Sequence, residues 1–328
     1  MALRYGSRSR PGTMVSTWLN GLVSGTVPAA TAGFVAGGYS VASGNFATVD
    51  KFAFSDDART TLGTGLTTAR SYTTGMANSG TAGYVAAGYN ASWAELDSVE
   101  KLSFADDTLS TISAALSGTR YSPTAMANSG TAGYVCGGFD GSDITTVNKL
   151  AFSDDSMSTL GTGLSVARNY SGGMANSGTA GYVCGGFTAS GTRYSTVDKF
   201  AFSDDSRSTL GTGLSATRYL VAAMANSGTA GYVAGGKTTV LVSTVDKFAF
   251  SDDSRSTLGT GISAATEALA GMADSGTAGY ISGGNTGYSL QVTTVDKFAF
   301  SDDGRTTLGT GLSAARDNLA AFANSGAL

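Results

Sequence analysis

The side chains best suited to chemistry are pairs of adjacent aspartates, such as Asp56 with Asp57 and Asp204 with Asp205. Each pair ends a stretch that reads KFAFSDD or a close variant; the copies begin at Lys51, Lys101, Lys149, Lys199, Lys247 and Lys297. Two carboxylates could help to bind Ca²⁺, but calcium takes six to eight oxygen ligands and one pair supplies too few. Asp and Ser side chains also bond to the backbone of turns. We therefore expect the pairs to shape a turn, with calcium binding as a weaker alternative and catalysis weaker still.

The sequence contains few other residues that are suited to catalysis. The chain has no histidine, which excludes His-based acid–base catalysis, Ser-His-Asp triads and His-ligated copper. Glu95 and Glu267 are the carboxylates that depart most from the repeat. Cys136 and Cys184 occupy equivalent positions in neighbouring copies, which favours small buried side chains over a disulfide. We expect no cofactor.

The composition excludes two classes of partner. The net charge is −4 and the sequence pI is about 4.8, and no Lys/Arg stripe is present to bind nucleic acid. No apolar run of about 18 residues occurs, so we expect no membrane insertion. Segment 1–21, MALRYGSRSRPGTMVSTWLNG, is interrupted by polar residues and makes a poor signal peptide.

The spacing of the motif indicates a single repeat array. Successive copies lie 50, 48, 50, 48 and 50 residues apart, and a period of this size is typical of repeat folds. Each copy contains four short strand signals; in the third copy these are residues 120–128, 133–139, 146–155 and 158–168. Because β-branched and aromatic residues are punctuated by Gly and Asx turns, with no helical period, we predict an all-β chain.

The order of these signals resembles the kelch repeat: an Arg, a short strand, an aromatic-Val-x-Gly-Gly strand, then a strand ending in Asp. The resemblance covers most of the chain and implies a β-propeller with four strands per blade. One departure is that Leu replaces the usual Trp near the fourth strand, at Leu62, Leu160, Leu210, Leu258 and Leu308. The stretch SDDSRSTL also resembles the Asp-box of sialidase-type propellers, with Ser203, Asp205 and Thr209 in place. In that family the box is a structural hairpin and is not catalytic.

The copy number predicts how the ring closes. Second strands of the Gly-Gly type begin near Gly33, Gly83, Gly133, Gly181, Gly231 and Gly279. The first of these lacks a preceding first strand, whereas residues 317–328 match a first strand with no second strand after it. We therefore predict a six-bladed kelch-like β-propeller over residues 31–328, closed by pairing of the C-terminal strand with the first blade. We expect residues 1–30 to form a separate N-terminal arm.

An arginine stands at the entrance of five of the six first strands. The five are Arg70, Arg120, Arg168, Arg218 and Arg316, and Thr266 takes the sixth position. Two interpretations remain open. The guanidinium groups could ring the mouth of the channel and bind an anionic glycan or carboxylate, or they could bond to loop carbonyls, as the kelch resemblance implies. The second is favoured, and all five stay candidates for a binding surface.

The loops after the second strands differ completely between copies, and we expect all six on one face of the disc. With the segments entering the first strands, they make a candidate receptor-binding surface with these aromatic residues: Tyr39, Phe46, Tyr89, Trp93, Phe139, Tyr194 and Tyr288. Rigid aromatics among small polar residues are typical of recognition surfaces. Unconstrained drift of exposed loops is the alternative.

The near-identical repeats and the segment MANSGTAGYVAGG resemble those of kelch-like virion proteins of tailed phages. This resemblance implies a tail-fibre, tail-tip or decoration component of the particle, made in the host cytoplasm. We expect a non-enzymatic virion protein that binds a host-surface glycan or protein and belongs to a homo- or hetero-oligomeric assembly. Residues 1–30, with Arg4, Arg8 and Arg10, would anchor it to other virion proteins. The alternatives are a decoration or assembly protein without receptor binding and, least favoured, a sialidase- or lyase-type enzyme.

Overall fold

The computed structural model describes residues 32–287 and 289–324. The predicted arm 1–30, its residues Arg4, Arg8 and Arg10, and the candidate Tyr288 lie outside the described residues. The described residues contain strands and no helix. They therefore include no helix that could cross a membrane.

The described residues form 28 strands. In chain order the strands are β1 (Ala32–Ala36), β2 (Tyr39–Ser40), β3 (Gly44–Asn45), β4 (Val49–Ala53), β5 (Arg59–Thr61), β6 (Arg70–Ser71), β7 (Thr74–Asn78), β8 (Ala82–Ala86), β9 (Tyr89–Asn90), β10 (Val99–Ser103), β11 (Leu109–Thr111), β12 (Thr124–Asn128), β13 (Ala132–Cys136), β14 (Val147–Ala151), β15 (Met157–Thr159), β16 (Gly172–Asn176), β17 (Ala180–Cys184), β18 (Val197–Ala201), β19 (Arg207–Thr209), β20 (Ala222–Asn226), β21 (Ala230–Ala234), β22 (Val245–Ala249), β23 (Arg255–Thr257), β24 (Ala270–Asp274), β25 (Ala278–Ser282), β26 (Val295–Ala299), β27 (Arg305–Thr307) and β28 (Ala320–Ala323).

Six antiparallel sheets of four strands form the blades of a β-propeller. Blade 1 has the strand order β28-β1-β4-β5, and blade 2 contains β7, β8, β10 and β11. Blades 3 to 6 each take four consecutive strands: β12 to β15, β16 to β19, β20 to β23 and β24 to β27. The all-β class, the six blades and their four strands are therefore confirmed.

The C-terminal strand closes the ring as predicted. Strand β28 pairs with β1 in a register that places Phe322 opposite Phe34 and Ala323 opposite Gly33. The chain thus completes its first blade with its last strand. Closure of this kind leaves no unpaired inner strand, which would otherwise be a template for aggregation.

The strands are shorter than the sequence signals suggested. The fourth strand of blade 3, expected over residues 158–168, is β15 and ends at Thr159. After it the chain turns through two glycines, and the Leu164 N–H donates to the Thr145 carbonyl at 2.8 Å; the equivalent bond in the six blades measures 2.7–2.9 Å. The first strand starts at Thr124 rather than at residue 120, because Ser122 has a left-handed backbone with φ 49°.

Neighbouring blades pack a large side chain against a glycine. Met126 of β12 lies over Gly181 of the next blade, where a Cβ atom would collide with the methionine sulfur. In the same interface Phe202 stacks on Tyr134, with ring centroids 5.3 Å apart. Burying each such side chain contributes about 1.5–3 kcal/mol. The small residues of the repeat are therefore the surfaces against which its aromatic and methionine side chains pack.

Candidate ligand-binding surface

The second aspartate of each pair joins two blades. Asp205 has a left-handed backbone with φ 58°, a conformation that Asp tolerates in turns. Its carboxylate accepts hydrogen bonds from Tyr134 Oη at 2.7 Å and Lys149 Nζ at 2.7 Å, both in the preceding blade. The equivalent ion pairs run round the whole ring: Lys51–Asp107, Lys101–Asp155, Lys149–Asp205, Lys199–Asp253, Lys247–Asp303 and Lys297–Asp57.

The first aspartate of each pair shapes its own turn. Asp56 accepts a bond from the Ala58 N–H at 3.1 Å, and Asp204 accepts one from the Ser206 N–H at 3.0 Å. Among the described residues, no group of three or more His, Cys, Asp or Glu side chains comes together to hold a metal ion. These hydrogen bonds support the turn interpretation. In the part of the chain that the structure describes, no third acidic side chain joins Asp56 and Asp57, or Asp204 and Asp205, as a calcium ligand.

The five arginines lie beneath the surface and bond to carbonyls, which agrees with the favoured interpretation and corrects their place as candidates for an exposed binding surface. Each is at most 1% exposed. Arg168 donates from Nη2 to Asp198 at 3.1 Å and to the Val183 carbonyl at 3.2 Å. The side-chain partners in the five blades are Arg70 with Glu100, Arg120 with Asn148, Arg168 with Asp198, Arg218 with Asp246 and Arg316 with Asp50. Because these bonds enclose the guanidinium groups, a ligand on the surface does not reach them.

The buried carboxylate of Asp198 remains charged in this setting. Burial alone would raise its pKa, but the Arg168 guanidinium and hydrogen bonds from Ser165 and Thr209 together lower the pKa below its usual value. Arg168 and Asp198 therefore form an ion pair at neutral pH. This pair holds the segment that precedes β16 against strand β18 of the same blade.

The variable loops and the segments entering the first strands meet on one face, as expected; we call it the loop face. Isolated β-bridges join the two sets of segments, for example Tyr121 with Phe139 and Tyr219 with Lys237. Strands β6 and β9 make the equivalent contact in blade 2. Backbone pairing therefore holds the variable residues in fixed positions.

A closed ring of six backbone hydrogen bonds surrounds the axis at the loop face. Each N–H donates to the carbonyl of the preceding ring member, with N···O distances from 2.8 to 3.1 Å. The members are Tyr72, Ser122, Tyr170, Leu220, Ala268 and Asn318. All six have left-handed backbones, with φ between 49° and 58°, a conformation that is uncommon outside glycine. The ring therefore imposes this conformation even on Tyr and Leu.

The central channel is narrow beneath this ring. Beneath the ring lies a cavity of about 90 Å³ lined by the inner strands, including Gly75, Ala125 and Gly173. This volume corresponds to about three water molecules at roughly 30 Å³ each. The cavity has room for a few water molecules or a small solute, so a larger ligand would have to contact the loop face instead.

Nine aromatic rings on the loop face form one continuous group, which we call the aromatic cluster. Its members are Tyr39, Tyr72, Tyr89, Trp93, Tyr121, Phe139, Tyr170, Phe187 and Tyr219. Tyr89 stacks on Tyr121 at 4.4 Å and meets Trp93 edge-on at 5.6 Å. Trp93 is 53% exposed, whereas the other eight rings are half-buried. The half-buried rings therefore hold the cluster in place, and Trp93 exposes one side of it to solvent.

Sequence reasoning placed four of these nine residues and missed five. Tyr39, Tyr89, Trp93 and Phe139 were candidates and belong to the cluster. Phe46 instead packs against the Arg316 guanidinium at 5.6 Å, and Tyr194 is half-buried; neither belongs to the cluster. The missed residues are Tyr72, Tyr121, Tyr170, Phe187 and Tyr219. Four of the five follow the conserved Arg position by one or two residues, in RSY, RY, RNY and RY, and this signal could have identified them.

Polar side chains gather on another part of the loop face, although Val41, Val240 and Leu290 are also exposed in its variable loops. Asp317 accepts hydrogen bonds from Asn318 Nδ2 at 2.9 Å, Gln291 Nε2 at 3.1 Å and Asn285 Nδ2 at 3.3 Å. Burial raises the pKa of Asp317, and these hydrogen bonds partly offset the rise. The loop face therefore has an aromatic side and a side rich in amides and carboxylates.

A second carboxyl group lies on the polar side. Glu267 forms an ion pair with Lys237, the two charged atoms being 3.6 Å apart. Burial raises the pKa of Glu267, and Lys237 opposes that rise.

Comparison with known proteins supports the fold. No protein-family model matches the chain, and no curated protein matches it in sequence. The solved structure of YjhT is similar, with a TM-score of 0.64 and 14% sequence identity over 80% of this chain and 91% of that chain. The shared feature is the β-propeller. At this level of identity the likeness extends to the fold alone.

Proposed function

We propose that the protein is a non-enzymatic binding protein whose aromatic cluster recognises a glycan on a host cell surface. The observation that carries this proposal is the continuity of the nine rings across the loop face. Tyr and Trp rings provide large contact area at low entropic cost, because each has few rotatable bonds. Sugar rings present flat C–H faces and outward hydroxyl groups, so they suit a surface that combines aromatic rings with hydrogen-bonding groups.

Polar groups border the cluster where a sugar's hydroxyl groups would need partners. Asp143 Oδ1 accepts a hydrogen bond from the buried Asn169 Nδ2 at 2.8 Å; Asp143 pairs through its backbone with Phe139, and Asn169 with Phe187. Glu95 pairs through its backbone with Tyr89 in the same loop as Trp93. The carboxylates can accept hydrogen bonds, and the amide can both accept and donate them. Because backbone pairing fixes them in advance, little ordering is required on binding.

A panel of defined oligosaccharides tests the proposal with three variants. Tyr89→Ala and Trp93→Ala each remove a ring, and we expect at least a tenfold loss of affinity for the bound glycan, about 1.4 kcal/mol. Leu290→Ala is the matched control, since Leu290 is 62% exposed and lies outside the cluster; its affinity should be unchanged. Equal binding by all three variants would contradict the assignment of the site.

We further propose that the propeller is displayed on the particle of a tailed phage. Its near-identical repeats, with the segment MANSGTAGYVAGG, resemble those of kelch-like virion proteins. Residues 1–30, with Arg4, Arg8 and Arg10, would dock onto an acidic virion protein. Deleting residues 1–30 should leave the melting temperature of the propeller unchanged while the protein no longer enters particles. Normal incorporation would exclude the anchoring role. Normal host adsorption by particles that carry Trp93→Ala would instead favour decoration without receptor binding.

The absence of histidine from the sequence supports a non-enzymatic role. Incubation of host-surface polysaccharide with the protein should therefore leave its chain length unchanged. Depolymerisation that Glu267→Ala abolishes would overturn this part of the proposal, because Glu267 is a half-buried carboxyl on the loop face with a raised pKa.

A further inference from the structure

One position breaks the repeat of buried arginines. Thr266 occupies the place that Arg218 holds in the preceding blade, 48 residues earlier. Its side chain is buried, and its Oγ1 donates to the Ala264 carbonyl at 2.9 Å. A threonine is too short to reach the groups that the arginine contacts, so the interior of blade 6 differs from that of the other blades.

The preceding blade shows what the arginine contacts. Arg218 donates from Nη1 to the Gly235 carbonyl at 3.2 Å and to the Thr244 carbonyl at 2.9 Å. From Nη2 it donates to the Val233 carbonyl at 3.0 Å and to Asp246 Oδ2 at 2.8 Å. Three carbonyls and one carboxylate therefore surround a single guanidinium group.

Blade 6 keeps the residues that supply this acceptor set. The equivalents of the four acceptors are Ile281, Gly283, Thr294 and Asp296, and all four line one cavity of about 70 Å³ together with Thr266. The volume is about that of two water molecules at roughly 30 Å³ each, which is room for a small planar group. Exposed Ser263 and Ala264 line the same cavity and connect it with the surface.

The cavity contains a buried carboxylate with fewer donors than its counterparts. Asp296 is 3% exposed. Its Oδ2 accepts the Ser263 N–H at 2.7 Å, and its Oδ1 accepts Thr307 Oγ1 at 2.6 Å with Arg305 Nη1 at 3.5 Å. In the preceding blade the equivalent Oδ2 also accepts the guanidinium. A buried carboxylate gains most from a charged donor with good geometry.

We propose that this cavity in blade 6 binds a guanidinium group, presented either by a small molecule such as agmatine or by the side chain of an arginine residue. The bound group would occupy the position of the Arg218 guanidinium and donate to Asp296 and to the neighbouring carbonyls. A guanidinium suits the site better than an ammonium, because its planar fork matches several acceptors at once. The site is separate from the aromatic cluster.

Thermal unfolding with millimolar guanidinium chloride or agmatine tests the proposal. For the unaltered protein we expect a saturable rise in melting temperature of about 2–4 °C at tenfold excess over Kd. The matched control is Thr266→Arg, which installs the side chain present in five blades; it should melt higher without ligand and show no rise. Sodium chloride at equal concentration should produce no such difference between the two proteins.

Titration calorimetry adds a count of sites and separates the two sources of the group. Agmatine should bind at one site in the unaltered protein, at none in Thr266→Arg or Asp296→Asn, and at two in Arg218→Thr. The peptide Gly-Arg-Gly competes with agmatine if the cavity accepts arginine side chains, whereas binding of agmatine alone indicates a small-molecule ligand. Identical responses of the unaltered protein and Thr266→Arg to guanidinium and agmatine would overturn the proposal.

Discussion

Buried charge in this propeller is structural, and Arg168 with Asp198 shows why. Both side chains are fully buried, and the guanidinium also donates to a backbone carbonyl. Removing one partner of such a pair leaves a buried charge uncompensated, which costs about 3–5 kcal/mol. The equivalent pair in blade 3 is Arg120 with Asn148, whose side chains are 2.6 Å apart. The fold therefore accepts either a carboxylate or an amide at this position.

Because one blade has Asn148 where another has Asp198, the contribution of the Asp198 charge to stability can be tested by changing the pH. The folded state lowers the pKa of Asp198, so its charge stabilises the fold above its unfolded pKa of about 3.9, and that contribution is lost as pH falls through the folded pKa. Asp198→Asn lacks this contribution. The stability of the unaltered protein relative to Asp198→Asn should therefore decrease as pH is lowered from about 5 to about 2.

Thermal melts over that range check the prediction. Asn148→Asp is the complementary variant, and its stability relative to the unaltered protein should fall over the same range. A difference between Asp198→Asn and the unaltered protein that does not change with pH would contradict this assignment.

At the scale of elements, a glycine in each second strand receives a side chain from the preceding blade. The pairs are Gly33 with Met272, Gly83 with Phe322, Gly133 with Met76, Gly181 with Met126, Gly231 with Met174 and Gly279 with Met224. The contact repeats at every interface, including the one that the C-terminal strand completes. It explains why the sequence repeats MAN and GYV together.

Filling one of these positions should cost stability. Gly181→Val places side-chain atoms where Met126 lies, and overpacking of this kind costs about 1–3 kcal/mol. Met126→Ala relieves the collision, so the double variant should lose less than the sum of the two single variants. Urea unfolding of the four proteins measures this coupling energy. Additive losses would show that the two side chains do not share this space.

The elements were largely predictable, whereas their partners were not. The fixed period and the unmatched first and last signals predicted six blades and the closing strand, because counting copies is independent of side-chain detail. The motif spacing showed that Lys149 recurs in every copy, but it did not identify Asp205 of the next blade as its partner. The sequence left two interpretations of the arginines open, because a long charged side chain at a strand entrance can point either outward or inward. Only the tertiary structure shows that carbonyls and carboxylates enclose it.

At the scale of the whole molecule, hydrogen bonds between neighbouring blades lie around the axis at both ends. The six-member backbone ring lies at the loop face. At the other end the Ser129 hydroxyl accepts from the Ser79 N–H at 2.9 Å, and the same contact links Ser129 with Ser177, Ser177 with Ser227, and Ser227 with Ser275. With the interblade ion pairs, these contacts tie neighbouring blades together. Aromatic side chains from separate loops therefore meet in fixed positions, and sequence alone could not show this convergence.

The central claim is that a glycan contacts the aromatic cluster, and Trp93 offers a direct reporter. The chain has two tryptophans, so Trp18→Phe leaves Trp93 as the sole tryptophan. Titrating this variant with an oligosaccharide selected from the panel should change the Trp93 fluorescence saturably, with the same Kd that calorimetry gives. Tyr89→Ala in the same background should weaken both signals together. Binding by calorimetry without any change in Trp93 fluorescence, or no binding of any glycan, would contradict the account.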